Sequence, residues 1–166
     1  MGRTSNREER RKQILQAFAR VLADHGYAGA TIARVAAEAE LAPGLLHHHF
    51  KDKDELLSLL ATSLIGGFRA QTRAQHSHSD PLIAYTDAAL AVDASSDGIV
   101  PRCWVGLFAE AIRNPVLFRQ FRRLIDRELM TIQKKSNGDL SGQDAAAVMA
   151  FIVGALVLGA FAPKKT

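Results

Sequence analysis

Three consecutive histidines, His47, His48 and His49, are the first residues in this sequence to consider for metal chemistry. Successive side chains of an α-helix point about 100° apart. Two histidines of one helix chelate a metal at a spacing of three or four residues instead. His49 could equally be a partly buried core histidine. A second pair, in His76-Ser77-His78, lies in a polar linker. We expect no metal site at either place.

Catalytic motifs are absent from the sequence. It contains no P-loop, no G-x-G-x-x-G, no nucleophile elbow and no H-E-x-x-H zinc motif. The single cysteine, Cys103, excludes a C-x-x-C redox pair and an intrachain disulfide. The polar start of the chain, Met1 to Lys12, has no apolar segment typical of a signal peptide. We therefore expect a cytoplasmic protein that is not an enzyme and needs no cofactor.

Positive charge is concentrated towards the N-terminus. Residues 1–53 carry nine Lys/Arg and six Asp/Glu, a net of +3, while residues 54–166 carry a net of only +1. Five basic residues lie within the first twelve positions: Arg3, Arg7, Arg10, Arg11 and Lys12. A basic arm before a small helical unit favours a polyanionic partner such as nucleic acid, although a solvated terminal helix has the same composition.

Apolar spacing and capping residues predict an all-α fold of about eight helices. Ile14, Phe18 and Val21 lie on one face of the first helix, which Gly26 would end. The starts of the later helices are marked by Thr31, Pro43, Asp52 with Glu55, Asp80-Pro81, Pro101, Asn114-Pro115 and Ser141 with Asp144. No stretch shows the alternation of period two that is typical of strands.

The segment from residue 145 to residue 162 needs a separate interpretation. It contains no charged or strongly polar side chain over eighteen residues, which meets the lower bound for a membrane span. Seven alanines and two glycines make it weakly hydrophobic for a span, and seven amphipathic helices precede it. We expect a helix buried in the protein or between subunits. A membrane-anchored or structural helical protein is the alternative.

Residues 31–50 predict two short helices joined by a tight turn. Ala36 is small where the helices would cross, and Leu41 and Leu46 can fill the space between them. This is the geometry of a helix-turn-helix, whose second helix enters the major groove of DNA. Many helical hairpins share the generic pattern, so the pattern alone is weak evidence.

Together with residues 50–56, this run resembles the N-terminal domain of TetR-type transcriptional repressors. The resemblance covers residues 7–68 and is carried by Gly26-Tyr27, Thr31-Ile32, Val35-Ala36, the histidines before Phe50, and Lys53 with Glu55-Leu56. Residues 104–115 are loosely similar to the BetI-like branch of the family. The resemblance implies a three-helix helix-turn-helix DNA-binding domain over residues 7–53. An α-helical ligand-binding and dimerisation domain would follow over residues 54–166.

The resemblance also implies a set of DNA-contacting residues. Thr31 and Lys53 correspond to phosphate contacts, and Gly44 to a glycine that lets the backbone approach DNA. The full set is Thr31, Arg34, Pro43, Gly44, Leu45, His47, His48, His49 and Lys53. The family often has lysine and threonine where this chain has Pro43 and Leu45. These two side chains offer only apolar contact, for example to a thymine methyl, so we expect few hydrogen bonds to bases.

The implied partners are a palindromic operator in double-stranded DNA, a second copy of the chain, and a small-molecule effector that releases the repressor; no membrane is implied. The candidate ligand residues are Phe68, Tyr85, Cys103, Trp104 and Phe108. The fourth helix would connect the two domains, and it carries Gly66-Gly67 in its interior. Paired glycines cause kinks, but they also permit close helix packing, and the sequence leaves both readings open.

Overall fold

The computed structural model describes residues 2–74, 78–91 and 98–161, with side chains from residue 6 onwards except Ala74. The described residues form eight helices and no strand, which confirms the all-α prediction. In chain order they are α1 Gly2–Gly29, α2 Ile32–Glu38, α3 Pro43–His49, α4 Lys53–Ala74, α5 Pro81–Leu90, α6 Ile99–Ala111, α7 Pro115–Lys135 and α8 Gly142–Phe161. Most of the predicted loop at residues 95–98, and residues 162–166, lie outside this range.

The predicted caps account for most helix starts. The side chains of Thr31, Asp80 and Asn114 each accept backbone N–H bonds from the first turn of the helix that follows. Ser141 and Asp144 bond each other's backbone N–H groups, as a capping box requires. These confirmed starts are local features, because each cap depends on residues within three positions of it.

Two helix ends differ in detail from the prediction. Gly26 interrupts α1 with φ +65°, but a further short helical segment continues to Gly29. The start of α6 at Pro101 is wrong, since α6 begins at Ile99. Gly98 precedes it with φ +69°, a conformation that suits glycine. Pro101 still lies within the first turn of α6, where its missing N–H would have no intrahelical partner.

Helix α1 connects the N-terminal helices to the rest of the core by packing on α6. Leu22 contacts Gly106 closely enough that a Cβ at that glycine would lie 3.6 Å from the leucine Cγ. At the edge of the same contact, Arg102 Nη1 lies 2.7 Å from Asp24 Oδ1. The face predicted for α1 is confirmed, since Ile14, Phe18 and Val21 are all buried.

Helix α8 buries one stripe and leaves the opposite side open. Ala145, Met149, Ile152 and Leu156 are buried among α6 and α7. On the other side, Phe151, Leu158 and Phe161 are 61%, 71% and 76% exposed. Among the described helices, Gly142–Phe161 is long and apolar enough to cross a membrane by length and composition alone. Helix α8 is therefore only partly buried within one chain. That its open side is buried between subunits stays a prediction.

Candidate nucleic-acid interface and ligand region

A tight turn joins α2 to α3, the second helix of the motif, and one buried residue anchors α3 to the core. Leu41 N–H donates to Ala36 C=O at 2.9 Å, and Glu40 adopts the left-handed conformation with φ +54°. Of the described α3 residues, Leu46 alone is fully buried. Leu46 is 1% exposed beside the buried Val35 and Ala36 of α2. The predicted crossing of the two helices is therefore present, with the rest of α3 turned outwards.

Most of the residues expected to contact DNA are exposed to solvent. Thr31, Arg34, Pro43, Gly44, Leu45, His47 and His48 are exposed. A Cβ added at Gly44 would meet nothing within 4 Å, so the fold itself does not require glycine there. The space above Gly44 is therefore free for the close approach of a partner. The first turn of α2 is held by Thr31 Oγ1, which accepts from Arg34 N–H at 3.3 Å.

His49 differs from the two histidines before it because it is half-buried. Its Nδ1 is buried and has no hydrogen-bond partner among the described residues. Burial lowers the pKa of His49 below its usual value, and the positive charges of Arg7 and Arg11 lower it further. A phosphate contact by this imidazole would therefore rely on a hydrogen bond from the N–H of the neutral ring, or on a local rearrangement.

Lys53 lies at the junction between α1 and α4. Its Nζ donates to the Tyr27 carbonyl at 2.8 Å and lies 4.0 Å from the centroid of the Tyr27 ring. The hydroxyl of Tyr27 in turn donates to Asp54 at the start of α4. An ammonium has three N–H donors, so one bond to Tyr27 leaves donors for a phosphate. The tyrosine thus fixes Lys53 at the end of α1.

Arg11 has a structural role that the sequence did not reveal. Its Nη1 donates to the His49 carbonyl at the end of α3, and its Nη2 lies 3.0 Å from Glu55 Oε1. Its guanidinium carbon is 4.2 Å from the centroid of the Phe50 ring. The N–H of Lys51 and the Arg11 guanidinium lower the pKa of Glu55. Counting Arg11 in the basic arm therefore missed its structural role, because this side chain clamps α1, α3 and α4 together.

We expect Arg11→Met to loosen the C-terminal end of α3. The substitution removes charge-assisted bonds to the His49 carbonyl and to Glu55, and it should lower the free energy of unfolding by about 1 kcal/mol, since the pair is partly solvent-exposed. Urea unfolding measures this loss. Arg10→Met is the matched control, because within the described part of the chain Arg10 bonds only to Gln13, at an exposed position. Equal losses in the two variants would contradict the clamp.

Three of the five candidate ligand residues come together in an aromatic cluster. Trp104 packs against Phe68 and Phe108, with ring centroids 6.2 Å and 5.7 Å apart. Phe121 completes the cluster at 4.8 Å from Phe108. The free volume between these rings and α8 is about 10 Å³, so the cluster is packed. The Trp104 Nε1 donor is buried without a hydrogen-bond partner among the described residues.

The other two candidates lie elsewhere, so the expected grouping of five is corrected. Cys103 faces α1, where its Sγ donates to the Ala19 carbonyl at 3.2 Å. Burial raises the pKa of this thiol to about 12. Tyr85 faces α7, where its hydroxyl donates to Glu128 Oε2 at 3.0 Å. Helical spacing placed Tyr85 on an inward face and the resemblance named Cys103 as a ligand residue, but neither could indicate which helix covers them.

Gly66 and Gly67 lie within the continuous helix α4. A Cβ at either position would meet nothing within 4 Å. The packing interpretation of this pair is therefore not supported, because no neighbouring element approaches closely enough to require glycine. What the pair does provide is a locally weaker helix between the N-terminal helices α1–α3, called the head below, and the C-terminal helices.

Comparison with known proteins agrees with this architecture. The family model for bacterial regulatory proteins of the tetR family matches residues 14–60. The HTH-type transcriptional regulator BetI of Burkholderia mallei is 30% identical over 133 residues, covering 78% of this chain and 68% of the relative. BetI of Burkholderia thailandensis is 28% identical over 170 residues, covering 98% and 87%.

Solved structures share the fold. A transcriptional regulator from Rhodococcus sp. Rha1 has a TM-score of 0.80 at 20% identity, covering 92% of this chain and 84% of its own. A transcriptional regulator from Saccharomonospora viridis in complex with choline has a TM-score of 0.74 at 22% identity, covering 89% and 83%. With the exposed helix-turn-helix and the matching family model, the conclusion is that this chain belongs to the TetR family and is a DNA-binding transcriptional regulator.

Proposed function

We propose that this protein is a cytoplasmic repressor, not an enzyme, that binds a palindromic operator as a homodimer and leaves it when a small-molecule effector binds. Residues 7–53 would form the DNA-binding domain and residues 54–166 the regulatory and dimerisation domain. The observation that carries the proposal is the exposure of α3, which is open to solvent from Pro43 to His48 apart from Leu46. A helix held by one buried residue offers its remaining surface to the major groove.

The chemistry of α3 supports a mixture of phosphate and apolar contacts. Pro43 and Leu45 carry no hydrogen-bonding side chain, and both are exposed at the N-terminal end of the helix. Their contacts to base edges would be limited to groups such as the thymine methyl. Thr31 and Arg34 at the start of α2 and Lys53 at the start of α4 carry donors that suit phosphates. We therefore propose that phosphate contacts and groove shape supply much of the affinity.

Assembly as a dimer is supported by the open face of α8. Ala147, Phe151, Gly154, Leu158 and Phe161 follow one another at spacings of three and four residues. This stripe lies opposite the buried one, and its large side chains are exposed in a single chain. An apolar stripe of this length is typical of a helix–helix contact. A twofold dimer would present two α3 helices to half-sites about 34–36 Å apart.

The class of effector does not follow from the relatives. The Saccharomonospora viridis regulator binds choline, an organic cation of the kind that aromatic rings hold. In this protein the aromatic cluster around Trp104 has about 10 Å³ of free volume. Choline therefore has no room there unless the rings separate.

Selection of binding sites from a random double-stranded DNA pool tests the proposal as a whole. We expect enrichment of an inverted repeat whose half-sites are centred about one helical turn apart, or a multiple of it. The enriched site should bind far more tightly than a scrambled duplex at the same salt concentration. Recovery of no shared sequence, or of single half-sites only, would overturn the palindromic operator.

Lys53→Ala should weaken binding to every DNA sequence alike. The loss of one phosphate contact lowers the slope of log affinity against log salt concentration by about one unit. Fluorescence anisotropy of operator and scrambled duplexes at several salt concentrations measures the slope. Lys134→Ala, at an exposed position of α7, removes the same charge away from the head. If Lys53→Ala changed specificity while the slope held, the lysine would be reading bases instead.

A further inference from the structure

A cleft bounded by α4, α5 and α7 carries an excess of positive charge. Its volume is about 210 Å³, and four cationic side chains line it with a single carboxylate. The cations are Arg69 and Arg73 of α4 and Arg127 and Lys135 of α7, and the carboxylate is Glu128. Residues four apart share one face of a helix. The two arginines of α4 therefore face the cleft together, opposite the basic side chains of α7.

The floor of the cleft is a buried polar cluster. Glu128 is 3% exposed, accepts from the Tyr85 hydroxyl at 3.0 Å, and lies 3.6 Å from Arg69 Nε. This distance is too long for a hydrogen bond, and Arg69 Nε is buried without a hydrogen-bond partner among the described residues. Glu128 is therefore fixed mainly by Tyr85, and Arg69 keeps unused donor capacity beside the cleft.

The other three cations of the cleft have no carboxylate partner in the described ranges of the chain. Arg73, Arg127 and Lys135 form no ion pair with any of the residues that the structure describes. Lys135 Nζ instead lies 5.9 Å from the centroid of the Tyr85 ring. A concave surface lined by one sign of charge raises the local concentration of counter-ions. The single carboxylate of Glu128 can balance only one of the four positive charges.

We infer that this cleft binds a small organic anion, carrying carboxylate or phosphate groups, and that this anion is the effector of the regulator. The inference rests on the proposed function for its regulatory meaning. Planar guanidinium groups bind carboxylates and phosphates through two parallel N–H bonds. The volume lies below the roughly 300 Å³ at which pockets for drug-sized ligands begin. A small metabolite fits this cleft better than a drug-sized compound.

The position of the cleft links the anion to the DNA-binding head. Arg69 and Arg73 lie just after Gly66-Gly67 in α4, while Arg127 and Lys135 belong to α7. An anion held by both helices draws the C-terminal part of α4 towards α7. The start of α4 is tied to the head through Lys53 and Asp54. The anion shifts the population of α4 orientations to the extent that it binds one of them more tightly.

Thermal unfolding with defined anions tests the cleft directly. The probes are sodium phosphate and sodium succinate, each compared with sodium chloride at equal ionic strength, and choline chloride as the organic cation. We expect at least one of the two anions to raise Tm saturably above the chloride value, because it binds only the native state. A rise in Tm with phosphate alone would identify a phosphate ligand, and a rise with succinate alone would identify a carboxylate ligand.

Matched charge variants separate the cleft from general screening. In Arg73→Gln/Arg127→Gln, the anion-dependent rise in Tm should disappear, with the dissociation constant at least tenfold weaker by calorimetry. Arg119→Gln/Arg123→Gln removes two arginines from exposed positions of α7 outside the cleft and should respond like the wild type. Equal responses of both double variants would mean non-specific screening and would overturn the proposal. A rise with choline chloride and none with either anion would overturn it too.

DNA binding separates this inference from the proposed function. Operator affinity is measured in chloride, without the probes, and then at equal ionic strength with the anion that binds. The effector role is supported if the anion releases the wild type from DNA but does not release Arg73→Gln/Arg127→Gln. Anion binding without release would overturn the effector role and leave an anion site. Failure to bind any DNA, with anion binding intact, would overturn the proposed function and leave the cleft standing.

Discussion

Gly154→Arg should convert the protein from a dimer to a monomer and abolish tight operator binding. Gly154 lies at the centre of the open stripe of α8, directly opposite the buried residues Ile152 and Leu156 in helical projection. Nothing lies within 4 Å of a Cβ at this position, so the single chain accommodates the arginine. A dimer would have to bury its charge between two apolar helices.

The expected effect on assembly is large. An uncompensated charge buried in an interface costs about 3–5 kcal/mol, which corresponds to a dimer roughly 150- to 4000-fold weaker. Light scattering at micromolar concentration measures the change in mass. Ser63→Arg, at an exposed position of α4, is the control and should remain dimeric. A monomeric wild type would contradict the dimer, and its recovery only with detergent would favour the membrane-anchored alternative.

The loss of the dimer should carry over to DNA. A monomer presents one recognition helix and cannot contact both half-sites of an inverted repeat at once, so the advantage of linked binding is lost. Non-specific binding through phosphates should fall far less, because each head keeps its lysine and arginine donors. The difference in affinity between the operator and the scrambled duplex therefore measures dimer assembly as well as recognition of the sequence.

Features encoded by neighbouring residues could be predicted from the sequence. The caps at Thr31 and Asn114 form bonds within three residues. The helix-turn-helix depends on Ala36 and Leu46 only ten positions apart. Such local signals specify helix type and inward face before any tertiary contact is known. The predicted start of α6 is two residues too late because it lies at Pro101, whereas the helix begins directly after Gly98.

Contacts between distant residues could not be predicted in the same way. Arg11 meets Glu55 across 44 positions of sequence, and Tyr85 meets Glu128 across 43. Arg11 was counted with the basic arm, because charge alone does not distinguish an arginine that clamps three helices from one that contacts DNA. The basic cleft was missed for the same reason, since its cations come from two helices that the sequence separates.

The glycine pair in α4 leads to the last expected result. Gly66→Ala/Gly67→Ala should raise the free energy of unfolding by about 2 kcal/mol, because alanine is about 1 kcal/mol better than glycine at each helical position. Both positions are exposed, and neither new Cβ meets a neighbour within 4 Å. The gain should therefore come without strain, and urea unfolding measures it.

The same variant should respond less to the effector. With alanines at both positions, α4 costs more free energy to bend, so its straight and bent orientations differ more in free energy. An anion held at Arg69 and Arg73 therefore moves the head less. We expect nearly unchanged anion affinity and operator affinity in chloride, with reduced anion-induced release. Gly159→Ala in α8 is the control for stability alone, since its Cβ is also unopposed. If the double variant released DNA as readily as the wild type and the control, the glycine pair would not be the hinge, and the assignment as a regulator would be unaffected.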